Sequence, residues 1–220
     1  MIRLQTSDCP RCLKPIELCV CEFIRPTQTK THILILQHPQ EPDKALGTAR
    51  IAHLTLPNST LKTGLSWPNL RAALGPGREG MLPSHWGVLY LGSGLKERVS
   101  GETGPSIQFV TQQGATLPPP LIPRSLEGVV LLDGTWSQAK ALWWRNPWLL
   151  KLKRAILVPA RRSLYRELRR EPRRECLSTL ESIAETLLAL GETPEASQNL
   201  KMVFENLLEK YRKRSALKKA

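Results

Sequence analysis

The stretch Gly128-Val129-Val130-Leu131-Leu132-Asp133-Gly134-Thr135-Trp136-Ser137-Gln138-Ala139-Lys140-Ala141-Leu142 decides how the rest of the chain is read. Val129 to Leu132 is a short apolar run, β-branched at its start and bounded by Gly128 and Gly134. That predicts a buried parallel strand. The run ends on a carboxylate, a glycine and a hydroxyl. Beyond Trp136 the period changes: Ala139, Leu142 and Trp143 share one helical face, with Thr135 or Ser137 as N-cap. A strand that stops at Asp-Gly-Thr and opens a helix presents side chains at the carboxyl edge of an α/β sheet, where ligands bind. Asp133 and Thr135 can equally act as caps alone, with Trp136 in the core.

Working outward, three more apolar runs read as strands: Thr31–Gln37, Val88–Gly94 and Arg154–Pro159. The first ends in His38-Pro39-Gln40-Glu41-Pro42. His38 there suits ligand contact or acid/base work, or a hydrogen-bonded turn; Glu41 is open in the same way. The second ends in Gly92-Ser93-Gly94, where the absence of side chains lets a ligand approach the backbone; Leu91 and Gly92 are taken as cofactor contacts. Helices are expected over Lys44–Leu54, briefly around Leu70–Leu74, from Leu177 onward and over Glu195–Lys213. Ser178 and Glu181 form a capping box. The segment Ser100–Arg124 reads as loop, with a stiff Pro118-Pro119-Pro120 link.

At 220 residues and 41% hydrophobic, the chain can bury a core of its own. It lacks any apolar run near the roughly 20 residues that span a bilayer. The N-terminus lacks a secretory signal pattern, so a cytoplasmic location is expected. The formal charge is +13. Ten basic residues lie between Lys151 and Arg174 against only Glu167 and Glu171, and six more follow from Lys210. Clustered arginine suits phosphate, and nucleic acid above all; a solvated basic face is the alternative. Trp143, Trp144 and Trp148 read as packing residues or as platforms for an unstacked base.

Cys9-Pro10-Arg11-Cys12 and Cys19-Val20-Cys21 place four thiols within thirteen residues. In a reducing compartment such spacing predicts a closed, tetrahedral structural Zn²⁺ site remote from the chemistry. Cys176 stands alone and reads as a packed or partly exposed thiol rather than a ligand.

These motifs resemble, in order, those of the DTW-domain family. They are the four cysteines, His38-Pro39-x-Glu41, Gly47-Thr48-Ala49-Arg50, Asp133-x-Thr135-Trp136, Tyr165-x-x-Leu168-Arg169-x-x-Pro172 and Leu177-Ser178-Thr179-x-Glu181. The resemblance covers nearly the whole chain and is nearest to the bacterial tRNA-uridine aminocarboxypropyltransferases. Many members carry Asn where this chain has Gly47, so that position is given no side-chain role. The resemblance implies a SPOUT-like α/β fold: a mostly parallel sheet with flanking helices and a trefoil-knotted S-adenosylmethionine site. Residues 1–27 would form a small zinc-binding segment and residues 28–220 the catalytic domain with its basic C-terminal helix.

The implied reaction moves the 3-amino-3-carboxypropyl group to N3 of a tRNA uridine, in the variable loop in bacterial members, and releases 5′-methylthioadenosine. N3 holds its proton at neutral pH, so a base is required, and Asp133 is the candidate. The leaving group is a neutral thioether. Cofactor contacts are expected from Leu132, Asp133, Gly134, Thr135 and Trp136, with the helix start at Ser178 and Thr179 facing the cofactor carboxylate. Substrate contacts are expected from His38, Glu41, Arg50, Tyr165, Arg169 and Arg173. tRNA is the expected partner, with no membrane and no obligatory protein partner, and a monomer is preferred over the dimer common among knotted methyltransferases. Two other classes stay open: a SPOUT-type RNA methyltransferase, and a non-catalytic zinc-stabilised RNA-binding protein.

Overall fold

Six strands form one sheet in the order β2-β1-β5-β3-β6-β4. They are β1 His32–Gln37, β2 Ser59–Thr63, β3 Trp86–Leu89, β4 Ser106–Val110, β5 Gly128–Asp133 and β6 Lys153–Val158. All neighbouring pairs run parallel except β4 with β6. The structure, a computed structural model, describes residues 8–77, 80–89, 104–111, 113–118, 126–159, 163–165 and 177–217. The helices are α1 Ala49–Thr55, α2 Leu70–Leu74, α3 Trp136–Arg145, α4 Thr179–Ala189 and α5 Pro194–Leu217. The fold is therefore mixed α/β, with a mostly parallel sheet and flanking helices.

Residue parity along the strands sorts side chains into two layers. Ile33, Ile35, Val129, Leu131 and Ala155 face α1, α4 and α5 in one core. Leu34, Leu36, Val130 and Val88 face α2 and Trp148-Leu149 in the other. The central strands β1 and β5 are covered on both faces, which is why they read as unbroken apolar runs. Gly128 is required by packing: a Cβ there would lie 2.5 Å from the ring of the buried Trp86. The N-terminal segment inserts Leu18, Val20 and Ile24 into the first core.

Several boundaries differ from the sequence reading. The helix expected from Lys44 begins at Ala49, because residues 41–47 form successive turns closed by Lys44 N to Glu41 O and Gly47 N to Lys44 O bonds. β2 was missed; Ser-Thr-Leu-Lys-Thr is an edge strand with few apolar residues. The segment read as loop from Ser100 contains β4, the opposite edge strand, where only Phe109 and Val110 are buried. β3 ends at Leu89, and residues 90–94 of the expected strand lie outside the described residues. Trp148 is buried, Trp143 half-buried beneath the Arg154 guanidinium at 5.3 Å, and Trp144 is 78% exposed. Cys176 lies outside the described residues. Among the described residues, no helix is long and apolar enough to cross a membrane.

Candidate active site and metal centre

The register of the parallel sheet brings three polar strand ends side by side. Thr63 of β2 pairs with Gln37 of β1, and Gln37 pairs with Asp133 of β5. By parity all three point to the face covered by α1, α4 and α5. The result is a hydrogen-bonded row. Thr63 Oγ1 donates to Gln37 Oε1 at 3.2 Å, and Gln37 Nε2 donates to Asp133 Oδ2 at 2.8 Å. On the other side of the carboxylate, Thr179 Oγ1 donates to Asp133 Oδ1. Gln37 and Asp133 are buried, at 4% and 7% exposure. A carboxylate with a donor fixed on each oxygen is held in one orientation and retains further lone pairs for a third partner.

The start of α4 is built to deliver Thr179. Ser178 is the N-cap, and its capping box with Glu181 is complete. Glu181 does more than cap. Its Oε2 accepts from Ser178 N at 2.8 Å and Ser163 Oγ at 2.9 Å, and its Oε1 accepts from Leu164 N at 2.6 Å. This ties residues 163–165 to the helix start. Thr48 Oγ1 accepts from Leu180 N at 3.2 Å, so the Gly47-Thr48-Ala49-Arg50 motif also supports α4. First-turn N–H groups at Leu180 and Glu181 are thus satisfied within the chain.

Thr135, not Ser137, caps α3, again in a full capping box, with Gln138. Gly134 has a steric reason: a Cβ would lie 2.8 Å from that of Gln138 and 3.4 Å from that of His38. His38 is half-buried; its N–H donates to Asp133 O at 2.9 Å, and its Nδ1 accepts from Gln40 N at 3.3 Å. Leu132 and Trp136 are half-buried, and Leu132 packs against the second core, on the face opposite the row. Tyr165 is 2% exposed, with its hydroxyl donating to Leu46 O at 2.7 Å and its ring edge-on to Phe204. Leu91, Gly92, Arg169 and Arg173 lie outside the described residues.

The four cysteines converge. Cys9 Sγ lies 3.7 Å from Cys21 Sγ and Cys12 Sγ 3.8 Å from Cys19 Sγ; all four sulfurs lie within 4.8 Å of one another. A tetrahedral zinc with bonds of about 2.3 Å sets sulfur–sulfur edges of about 3.8 Å, so the cluster could hold that ion. Burial acts to raise the Cys9 thiol, yet the backbone N–H groups of Cys12 and Arg11 and the neighbouring thiols bring it down to about 6. Burial pushes the Cys12 and Cys21 thiols up.

The cysteine cluster is not remote from the row, contrary to the sequence reading. The knuckle turn is closed by Cys9 N to Lys14 O at 2.7 Å, with Leu13 in the left-handed region at φ 58°. It sends Lys14 inward. Lys14 is 3% exposed and donates from Nζ to Lys44 O at 2.6 Å. Burial draws its ammonium down to about 8, against the opposing pull of Cys12, Asp133 and Glu41. A cavity of about 40 Å³ is lined by Lys14, Gln37, Glu41, Gly47, Arg50 and Thr63, among others. Arg50 is held by Nε to Arg11 O at 3.2 Å. The second half of the cysteine segment is gripped by α5: Lys210 Nζ donates to Cys19 O and Glu22 Oε1, and Arg214 pairs with Glu17. Two basic residues of the C-terminal helix thus serve the segment.

Gln37, Thr63 and Lys14 were given no role from sequence. Gln37 carried a signal, being the polar terminus of a buried strand. Thr63 and Lys14 did not.

A model of the DTW domain matches residues 6–212 of the chain. Three similar curated proteins are all named tRNA-uridine aminocarboxypropyltransferase 2. The Mus musculus protein is 28% identical over 187 residues, 83% of this chain and 56% of the relative. That of Macaca fascicularis is 30% identical over 211 residues, 88% of this chain and 59% of the relative. That of Drosophila melanogaster is 31% identical over 201 residues, 88% of this chain and 70% of the relative. The chain spans a little over half the length of the mouse and macaque proteins. These relatives are animal proteins, whereas the motifs pointed to bacterial ones. No solved structure matches.

Proposed function

The chain belongs to the DTW-domain family, and from that premise we propose that it is a tRNA-uridine aminocarboxypropyltransferase using S-adenosylmethionine. The relatives' shared name supports the reaction class. The observation that carries it in this chain is the row Thr63–Gln37–Asp133–Thr179 at the carboxyl edge of β2, β1 and β5. S-adenosylmethionine supplies an electrophilic carbon on a sulfonium, with a neutral thioether to leave. Asp133 is the base for N3 of uridine. Gln37 and Thr179 fix its two oxygens, so that a lone pair is aimed and no reorientation is needed as the proton moves. The strand end at Leu132 to Thr135, with Trp136, borders the cofactor, and Ser178 and Thr179 bound it from α4. Tyr165 acts by positioning, through Leu46, rather than at the surface.

On the same reading the fold is SPOUT-like, with residues 1–27 as the zinc-binding segment and 28–220 as the catalytic domain. Cys9, Cys12, Cys19 and Cys21 would hold the metal. The substrate is a uridine in the tRNA variable loop. His38 lines its approach, while Arg169 and Arg173 take backbone phosphate. The protein acts as a cytoplasmic monomer. Two labels on S-adenosylmethionine test the reaction. Label in the methionine carboxyl group enters tRNA and methyl label does not. Methyl label in tRNA would instead make it a methyltransferase.

A further inference from the structure

The cavity against Gln37 and Thr63 is lined by charges of both signs. Lys14 and Arg50 bring two cations, and Glu41, 7% exposed, brings a carboxylate. An ammonium offers three donors, and Lys44 O takes one from Lys14. Gly47 keeps the wall open: a Cβ there would stand 3.1 Å from Lys44 O, 3.3 Å from Glu41 O and 3.5 Å from Lys14 Nζ. The space has room for a few waters or a group of that size. Its inner wall is Gln37, the residue that also binds Asp133.

A small, walled cavity with both charges suits a zwitterion better than a lone anion. We propose that Lys14 and Arg50, with Glu41 opposite, seat the α-amino-acid end of the cofactor, so that the cysteine centre contributes a binding residue to the active site. The inference rests on the transferase reading above. It gives a reason for the group chosen. Lys14 and Arg50 would hold its carboxylate and Glu41 its ammonium, next to the Gln37 that orients Asp133, so that the aminocarboxypropyl chain rather than the methyl would be fixed. The cysteine knuckle sets this geometry, because Cys9 N bonds to Lys14 O.

The test compares two ligands by calorimetry on the zinc-loaded full chain: S-adenosylmethionine, and 5′-methylthioadenosine, which lacks the amino-acid end. In Lys14→Met, which keeps an apolar stem, affinity for S-adenosylmethionine falls at least about tenfold. Affinity for methylthioadenosine stays within about twofold. Glu41→Gln repeats the pattern, and circular dichroism confirms that both variants fold. Equal loss for both ligands would mark Lys14 as structural and overturn the proposal, as would unchanged S-adenosylmethionine affinity. Loss of tRNA affinity alone would give the seat to an RNA phosphate and overturn it too. If the unaltered chain binds neither ligand, the transferase reading itself fails.

Discussion

Replacing Glu181 by Gln is expected to cost more than half the stability that replacing it by Ala costs. Both carboxylate oxygens of Glu181 receive a backbone N–H: Ser178 on Oε2 and Leu164 on Oε1. An amide has only one oxygen. Whichever way Gln is turned, its NH₂ meets one of those N–H groups. Ser163 Oγ, the third donor at 2.9 Å, can rotate to accept; the backbone cannot. The residue is 4% exposed, so water offers no substitute. A hydrogen bond to a charged group contributes about 1.5–3 kcal/mol, and an orphaned buried donor costs about 1–3. Glu181→Gln is therefore expected to lose about 2–3 kcal/mol, and Glu181→Ala about 3–5. For a domain of this size that is roughly 4–12 °C in Tm for the Gln variant. Urea unfolding and calorimetry measure both. A Gln variant within about 0.5 kcal/mol of the unaltered chain, beside a strongly destabilised Ala variant, would refute the two-oxygen argument.

Other perturbations probe different parts of the frame. Asp133→Asn removes the proposed base and is expected to cut single-turnover modification by about 10²-fold or more, with cofactor affinity kept; turnover at the unaltered rate would remove Asp133 from its role. Gly128→Ala drives a methyl against the fully buried Trp86 ring at 2.5 Å. Overpacking of this kind costs about 1–3 kcal/mol, to be read from urea midpoints; an unchanged midpoint would show that the ring can yield. Burial, and then Arg50, hold the His53 imidazole below its ordinary 6.5. The unfolded chain therefore takes up this proton at a higher pH than the folded one, and stability falls as pH drops below about 6.5. Melting between pH 5 and 7 checks this, and His53→Asn should show a shallower slope.

The centre of the fold was legible in sequence because β1 and β5 are covered on both faces. Double coverage leaves continuous apolar runs, and the polar residues that end them stand out. Capping boxes at Thr135 and Ser178 were legible too, since their chemistry is local. The edge strands β2 and β4 were not. A strand covered on one side by a neighbour and open on the other alternates too weakly to separate from loop. The α1 start was misplaced because Ala45 and Leu46, helical by pattern, are packed from a run of turns instead.

The site divides along the same line. Asp133 and Thr179 were named from their local settings, but that they touch depends on α4 crossing the end of β5. Gln37 joins them through strand register, which no local pattern reports. Lys14 was invisible for a different reason. Its neighbours in sequence belong to the cysteine cluster, and only the docking of the cysteine turn against the residues 41–47 turns brings its ammonium to the cavity that Glu41 and Gln37 also line.

The most direct test of the account is nucleoside mass spectrometry of unmodified tRNA after incubation with the zinc-loaded protein and S-adenosylmethionine. The account predicts a uridine heavier by one aminocarboxypropyl group, with an equal amount of 5′-methylthioadenosine. A methylated base with S-adenosylhomocysteine, or tRNA left unchanged by protein that binds both ligands, would contradict it.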